Sequence, residues 1–139
     1  MKVEVVETTL VAPSEATPRH ALWLSNLDLA VPKTHTPLVY YYPAPSPPAV
    51  DAEAEGFFAP ERLREALARA LIDCNGEGAL FVVARADFTG DEMFTDFEPS
   101  PEARRLLVPF AASGEPPCVL AMVQVCCAAR DLPDLMLCF

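Results

Sequence analysis

The chain has 139 residues, which is within the size of one domain, and its 52% apolar content is enough to form a core. A net charge of −10 argues against binding to nucleic acid or to an anionic membrane surface, because both require a cationic face. No apolar run approaches the roughly 20 residues that span a bilayer, and the N-terminus carries Glu4 where a signal peptide would be apolar. We therefore expect a cytoplasmic protein.

The five cysteines form neither a CxxC pair nor a paired framework, so reduced thiols are expected. A zinc site needs clustered Cys and His ligands, and His20 and His35 are distant in sequence from every cysteine. We predict neither a metal site nor a bound cofactor.

The first half of the chain predicts two strands and a helix. Lys2 to Val11 alternates loosely and indicates a half-exposed strand. Leu38 to Tyr42 is β-branched and aromatic, which predicts a buried strand that stops at Pro43 and leads into a proline-rich loop, 43–50. Pro60 suits the first position of a helix running to Leu71. Its apolar stripe is expected to pack on the core and consists of Leu63, Leu67 and Leu71 with Ala66 and Ala70.

The second half predicts a turn, two strands and a short helix. Asn75-Gly76 indicates the turn and is followed by a strand over Ala79–Ala84. Ser100 is a candidate cap for a helix through Leu107, and Val119–Cys126 is a further apolar strand. The expected fold class is a mixed α/β chain with a mixed sheet.

The residues alone provide no complete catalytic set. A catalytic histidine needs a partner that fixes its tautomer, and neither His20 nor His35 has a carboxylate four residues later. The acidic segment Asp87–Glu98 matches four ligand positions of a calcium-binding EF-hand loop. Its sixth position is Glu92 instead of the required glycine, so a solvated acidic loop is the preferred interpretation.

Several distinctive motifs follow one another along the chain. TPR, LWLSNLDL and HTPLVY lie between residues 17 and 40. Further motifs are FFAPERLREALARAL at 57–71, IDCNGEGALFV at 72–82, FTDFEPS at 94–100 and the strand at 119–125 with Gln124. In this order they resemble one plant enzyme family, the BAHD acyltransferases, and most closely its hydroxycinnamoyl transferases.

The resemblance implies an α/β fold of two similar domains, like chloramphenicol acetyltransferase, with a solvent channel between them. It implies an acyl coenzyme A thioester as co-substrate and a small alcohol or amine as acceptor. In such enzymes the histidine of an HxxxD motif takes the proton of the acceptor, and a DFGWG segment supports the fold.

The chain departs from the family pattern in several places. Neither HxxxD nor DFGWG occurs in it, and a family segment of the type VPFYPLAGRL is missing between Leu71 and Ile72. We expect residues 1–125 to be a partial N-terminal domain and residues 126–139 to be a divergent tail, as an altered splice or reading frame would produce. The expected product is inactive alone. The alternative is a non-catalytic chain that associates with other proteins through exposed strands.

Matching the family position by position gives three candidate substrate-binding residues, His35, Thr36 and Tyr40, and no catalytic residue. The family serine in this run is Leu38 here, which puts recognition of a shikimate-like or quinate-like acceptor in doubt and favours another alcohol or an amine. Tyr40 has a second interpretation as a core aromatic residue with a hydrogen-bonded hydroxyl. Trp23 is expected in the core.

Overall fold

The structure is a computed structural model that describes residues 1–16, 23–30, 36–43, 59–71, 78–96, 98, 100–109, 119, 121–128 and 135–138. Residues 128 and 135–138 are described by their backbone only. Within the described residues, five strands and four helices follow one another in the order β1 (Val3–Val11), α1 (Asn26–Leu29), β2 (Val39–Tyr42), α2 (Pro60–Ala70), β3 (Ala79–Ala86), α3 (Gly90–Phe94), α4 (Pro101–Leu107), β4 (Met122–Ala128) and β5 (Leu135–Cys138).

The strands form one mixed sheet in the order β1-β3-β4-β5-β2. β3 and β4 are parallel, whereas the three other neighbouring pairs are antiparallel. The register between β1 and β3 shifts between Val5 and Glu7, so that Val6 is an extra residue in the edge strand. The predicted class, a mixed sheet with helices, is confirmed.

The centre of the sheet is buried because β3 and β4 are runs of apolar residues with helices on their two faces. On one face Phe81 and Val125 are 1% and 0% exposed and belong to a core cluster with Val11 and Val123. α2 covers this cluster through one apolar stripe, which consists of Leu63, Leu67 and Ala68 and continues into Leu71. Within the predicted stripe, Ala66 and Ala70 are exposed.

The opposite face of the sheet packs against α3 and α4. Leu107, at the end of α4, is buried in a second cluster with Ala84, Phe88 and Cys126. Ser100 caps α4 by accepting a hydrogen bond from the Ala103 backbone N–H, as the sequence predicts.

Gln124 is the buried polar residue of the described core, 4% exposed on β4. Its side-chain Nε2 donates to the carbonyl oxygens of Leu106 at 3.3 Å and Leu107 at 2.9 Å. Carbonyls at the end of a helix have no partner within that helix. The Gln124 amide supplies a hydrogen-bond donor for them and holds α4 against the sheet.

Two expectations about burial are wrong. The strand over 39–42 exists, but it lies at the edge of the sheet, where Tyr40 is 50% exposed and Tyr42 is 39% exposed. Trp23 is 87% exposed and not in the core. Aromatic and β-branched residues are buried on average. Whether one of them is buried at a given position depends on which other elements pack against it.

The expected boundary between residues 125 and 126 falls inside β4, which continues without a break to Ala128. β5 lies in the stretch that the sequence predicts to be a divergent tail. It pairs with β4 on one side and with β2 on the other. Several predictions lie outside the described residues, namely the Asn75-Gly76 turn, the junction at Ile72 and most of the proline-rich loop, 44–50.

Candidate functional site

The candidate substrate-binding residues belong to the segment that leads into β2. Thr36 is exposed just before the strand, and Tyr40 is exposed within it. His35 lies outside the described residues. The structure therefore puts two of the three predicted residues on one short surface segment, and their contact with a substrate stays a prediction.

Side chains alternate along this segment, as they do in any strand. Leu38, Tyr40 and Tyr42 are 50%, 50% and 39% exposed, whereas Val39 and Tyr41 are half-buried and pack against the second core cluster. We call Leu38, Tyr40 and Tyr42 the outer face of β2. This face combines two tyrosine side chains with the apolar side chain of Leu38.

Tyr41 lies on the inner face of β2 and makes several contacts with α3. Its Oη donates a hydrogen bond to Asp91 Oδ1 at 2.9 Å. Its ring stacks on that of Phe94 with 5.2 Å between the ring centroids. A side chain at Gly90 would overlap the same ring, so the backbone of α3 approaches Tyr41 as closely as glycine permits.

The sequence interpretation missed these residues because it treated the acidic segment as a loop. The available signal was Thr89 followed three residues later by Glu92. Thr89 accepts a hydrogen bond from the Glu92 backbone N–H, and the Glu92 carboxylate accepts one from the Thr89 backbone N–H at 2.8 Å. This reciprocal pair is a capping box and starts a helix, α3, within the segment.

Some of the acidic side chains of this segment accept hydrogen bonds from protein groups. Asp87 accepts from the Lys2 backbone N–H, and Asp91 accepts from Tyr41. Within the part of the chain that the structure describes, no group of three or more His, Cys, Asp or Glu side chains could hold a metal ion. Among the same residues no helix is long and apolar enough to cross a membrane.

A second capping box shapes the exposed Trp23–Leu29 stretch. The Asp28 carboxylate accepts hydrogen bonds from the Ser25 hydroxyl at 2.7 Å and from the Ser25 backbone N–H at 2.8 Å. These bonds favour the ionised form and lower the pKa of Asp28 below its ordinary value. α1 is thus a formed helical turn that buries none of its residues.

Cys127 is the one half-buried thiol of β4, beside the buried Cys126. Burial raises the pKa of the Cys127 thiol, the neighbouring Cys126 raises it further, and Arg85 opposes both effects. The nucleophilic form of a cysteine is the thiolate, and these surroundings disfavour it.

Comparisons with known proteins agree with the motifs in the sequence. A family model described as "Transferase family" matches residues 1–72 and 57–127. Putrescine hydroxycinnamoyltransferase 1 of Oryza sativa subsp. japonica is 43% identical over 90% of this chain. The shikimate O-hydroxycinnamoyltransferase of Nicotiana tabacum is 42% identical over 77% of it. The chain spans 31% of the rice enzyme and 27% of the tobacco enzyme.

Among solved structures, the crystal structure of vinorine synthase has the same fold over 99% of this chain and 38% of its own length, with a TM-score of 0.67. At 19% identity this likeness concerns the fold alone. The family match includes the candidate segment at 36–40 and both central strands. On these grounds, the chain belongs to the Transferase family of plant BAHD acyltransferases and is similar to its hydroxycinnamoyltransferases.

Proposed function

We propose that this chain supplies acceptor-binding elements of an acyl-CoA-dependent acyltransferase of the hydroxycinnamoyl type. The observation that carries the proposal is the 43% identity to a hydroxycinnamoyltransferase over 90% of the chain, which includes β2. In the reaction the oxygen or nitrogen of an acceptor attacks the carbonyl carbon of a hydroxycinnamoyl thioester. The carbon–sulfur bond breaks, coenzyme A leaves as the thiolate, and the acceptor gives its proton to a base.

The base is the part of this chemistry that the 139 residues do not contain, because no HxxxD occurs among them. General acid–base help is worth roughly 10²–10⁴ in rate, so these residues alone should give little or no turnover. His35, Thr36 and Tyr40 are proposed to contact the acceptor and to take no part in proton transfer. The acyl-CoA is a co-substrate, and no cofactor or metal is proposed.

The acceptor class follows from the outer face of β2. Leu38 has no hydrogen-bonding group, whereas each of the two tyrosines carries a hydroxyl at the edge of an apolar ring. An amine or an aromatic acceptor matches this face better than a polyol does, because each polyol hydroxyl that becomes buried needs its own partner. The relatives named for putrescine and for 5-hydroxyanthranilate use acceptors of these two kinds.

A binding experiment tests the proposal directly, since the only three tyrosines of the chain are Tyr40, Tyr41 and Tyr42. Tyrosine labelled with ¹³C at the ring ε carbons gives a spectrum that reports on β2 and nothing else. We expect putrescine and 5-hydroxyanthranilate to shift the Tyr40 signal in a saturable way and more strongly than shikimate does. A Tyr40 signal that responds to none of the three would contradict the assignment of β2 to acceptor binding.

A second function is favoured by the exposed apolar residues near α1. Trp23 and Leu27 are 87% and 81% exposed, which is unusual for large apolar side chains grouped on one stretch. A chain of this kind could act without catalysis by associating with a complete transferase. Size-exclusion chromatography with the rice enzyme separates the proposals: co-elution that is lost in Trp23→Ala supports association, and separate elution rejects it.

The setting proposed for either function is the cytoplasm of a plant cell and phenylpropanoid secondary metabolism. Hydroxycinnamoyl thioesters are phenylpropanoid compounds, so a transferase that consumes them belongs downstream of the ligase that makes the thioester. Fluorescence microscopy of the tagged chain in plant cells checks the location, and accumulation in an organelle would contradict it.

A further inference from the structure

We propose that Gly90 and Asp91 are positioning residues for the acceptor: they hold Tyr41, and through Tyr41 they set the place of Tyr40 on β2. The inference rests on the proposed function, because it concerns the same acceptor face. It adds two residues that lie 50 and 51 positions from Tyr40 in sequence and on a different element.

The need for such a support follows from the sheet. β2 has four residues, and among the described strands it pairs with β5 alone. A short strand with a single neighbour is held by fewer backbone hydrogen bonds than a central strand. Side-chain contacts on its inner face therefore contribute to its placement.

Tyr41 supplies those contacts at both the ring and the hydroxyl. The hydroxyl donates to a carboxylate, which makes the hydrogen bond charge-assisted and directional. The ring is stacked on Phe94 and meets the backbone at Gly90, so it cannot shift towards α3. α3 begins at its capping box, and it is held to the core through Phe94, which packs against the core cluster of Leu107.

The consequence for Tyr40 follows from strand geometry. Adjacent side chains of a strand point to opposite faces, so a displacement of Tyr41 on the inner face displaces Tyr40 on the outer face. A misplacement of about 1 Å at a binding or reacting group can cost about 100-fold in rate, so a small movement of the strand is enough to matter.

The test uses the complete 139-residue chain with ¹³C-labelled tyrosines and two variants that leave all three tyrosines in place. Gly90→Ala pushes the Tyr41 ring away from α3, and Asp91→Ala removes the hydrogen-bond acceptor while the ring contact remains. Asp96→Ala is the matched control, because Asp96 is an exposed carboxylate just beyond the end of the same helix. Putrescine and 5-hydroxyanthranilate are the probes.

We expect Gly90→Ala to displace the ring signals of both Tyr41 and Tyr40 and to raise the dissociation constant of the acceptor by about tenfold or more. Asp91→Ala should produce smaller changes of the same sign in the ring signals and in the dissociation constant. Asp96→Ala should change neither. A residue that only stabilises the fold would lower the midpoint of urea unfolding but leave the Tyr40 signal and the acceptor affinity of the folded chain unchanged. If Gly90→Ala fails to fold, Asp91→Ala decides the question.

The outcomes separate this inference from the function on which it rests. If the native chain binds an acceptor and the variants show the same Tyr40 signal and the same acceptor affinity, the inference is wrong. The proposed function is unaffected by that result. Equal effects from Asp96→Ala also overturn it. If neither acceptor shifts the Tyr40 signal of the native chain, the proposed function is wrong, and the inference with it.

Discussion

The central strands and the segment around β2 differ in burial and in the kind of sequence that encodes them. β3 and β4 are simple apolar runs whose side chains, such as Phe81 and Val125, are almost fully enclosed. The segment from Trp23 to Tyr42 carries the most distinctive order of residues in the chain, yet its described side chains are largely exposed. Packing explains the choice of residues in the first region. It does not explain the second, which is why we propose that the second region recognises a substrate.

The largest expected effect comes from comparing one buried with one exposed aromatic residue. Phe81→Ala should lower the free energy of unfolding by about 3–5 kcal/mol, because it leaves a cavity under α2. Trp23→Ala removes a larger side chain but should change the same quantity by about 0.5 kcal/mol or less. Urea unfolding followed by circular dichroism measures both. Similar losses in the two variants would show that Trp23 is part of the core after all.

A smaller effect is expected at Gln124, whose side chain joins β4 to the end of α4. Gln124→Leu keeps the size of the side chain but leaves the carbonyls of Leu106 and Leu107 without their donor, which should cost about 1–3 kcal/mol.

Gln124→Glu sharpens this result through its pH dependence. A buried carboxylate facing carbonyl oxygens is disfavoured in its charged form, so the folded-state pKa of the new glutamate should lie above its unfolded value. The variant should therefore be most stable at low pH and lose stability as the pH rises through the folded-state pKa. Unfolding midpoints of Gln124→Glu that do not depend on pH would contradict this interpretation of the site.

The smallest effect is expected in the exposed region, at the α1 capping box. Ser25→Ala removes the hydroxyl that donates to Asp28, so the pKa of Asp28 should rise towards its ordinary value. Because the native pKa is lowered, the contribution of Asp28 to stability is present above its unfolded pKa and is lost as the pH falls through the folded one. Carboxyl NMR titration measures the shift, with Ser14→Ala as control. An unchanged Asp28 pKa in Ser25→Ala would rule out the capping box.

Local features of the sequence predicted the elements that depend on few neighbours. Pro60 and a leucine stripe fixed α2, and Ser100 with Pro101 fixed α4, since caps and stripes act within one or two turns. The exposed position of β2 was not predictable in this way, because it depends on β5, which lies about 95 residues later and takes the place beside it in the sheet.

The sequence also predicts the candidate site only in part. The family motif predicts Tyr40 as a substrate-binding residue, which stays a prediction, and the structure adds that its side chain is half exposed. The contacts of Tyr41 with Gly90 and Asp91 join two distant parts of the chain, and no spacing in the sequence indicates them. The spacing of Thr89 and Glu92 indicates the start of α3, though not the residue that α3 contacts.

The central claim is that these residues bind an acceptor for acyl transfer but hold no base to deprotonate it. The most direct measurement is the conversion of p-coumaroyl-CoA by the purified 139-residue chain in the presence of putrescine, followed by mass spectrometry of the amide product. We predict no amide above the uncatalysed level, together with a saturable shift of the Tyr40 signal under the same conditions. Amide formation at a rate similar to that of the complete rice transferase would contradict the claim.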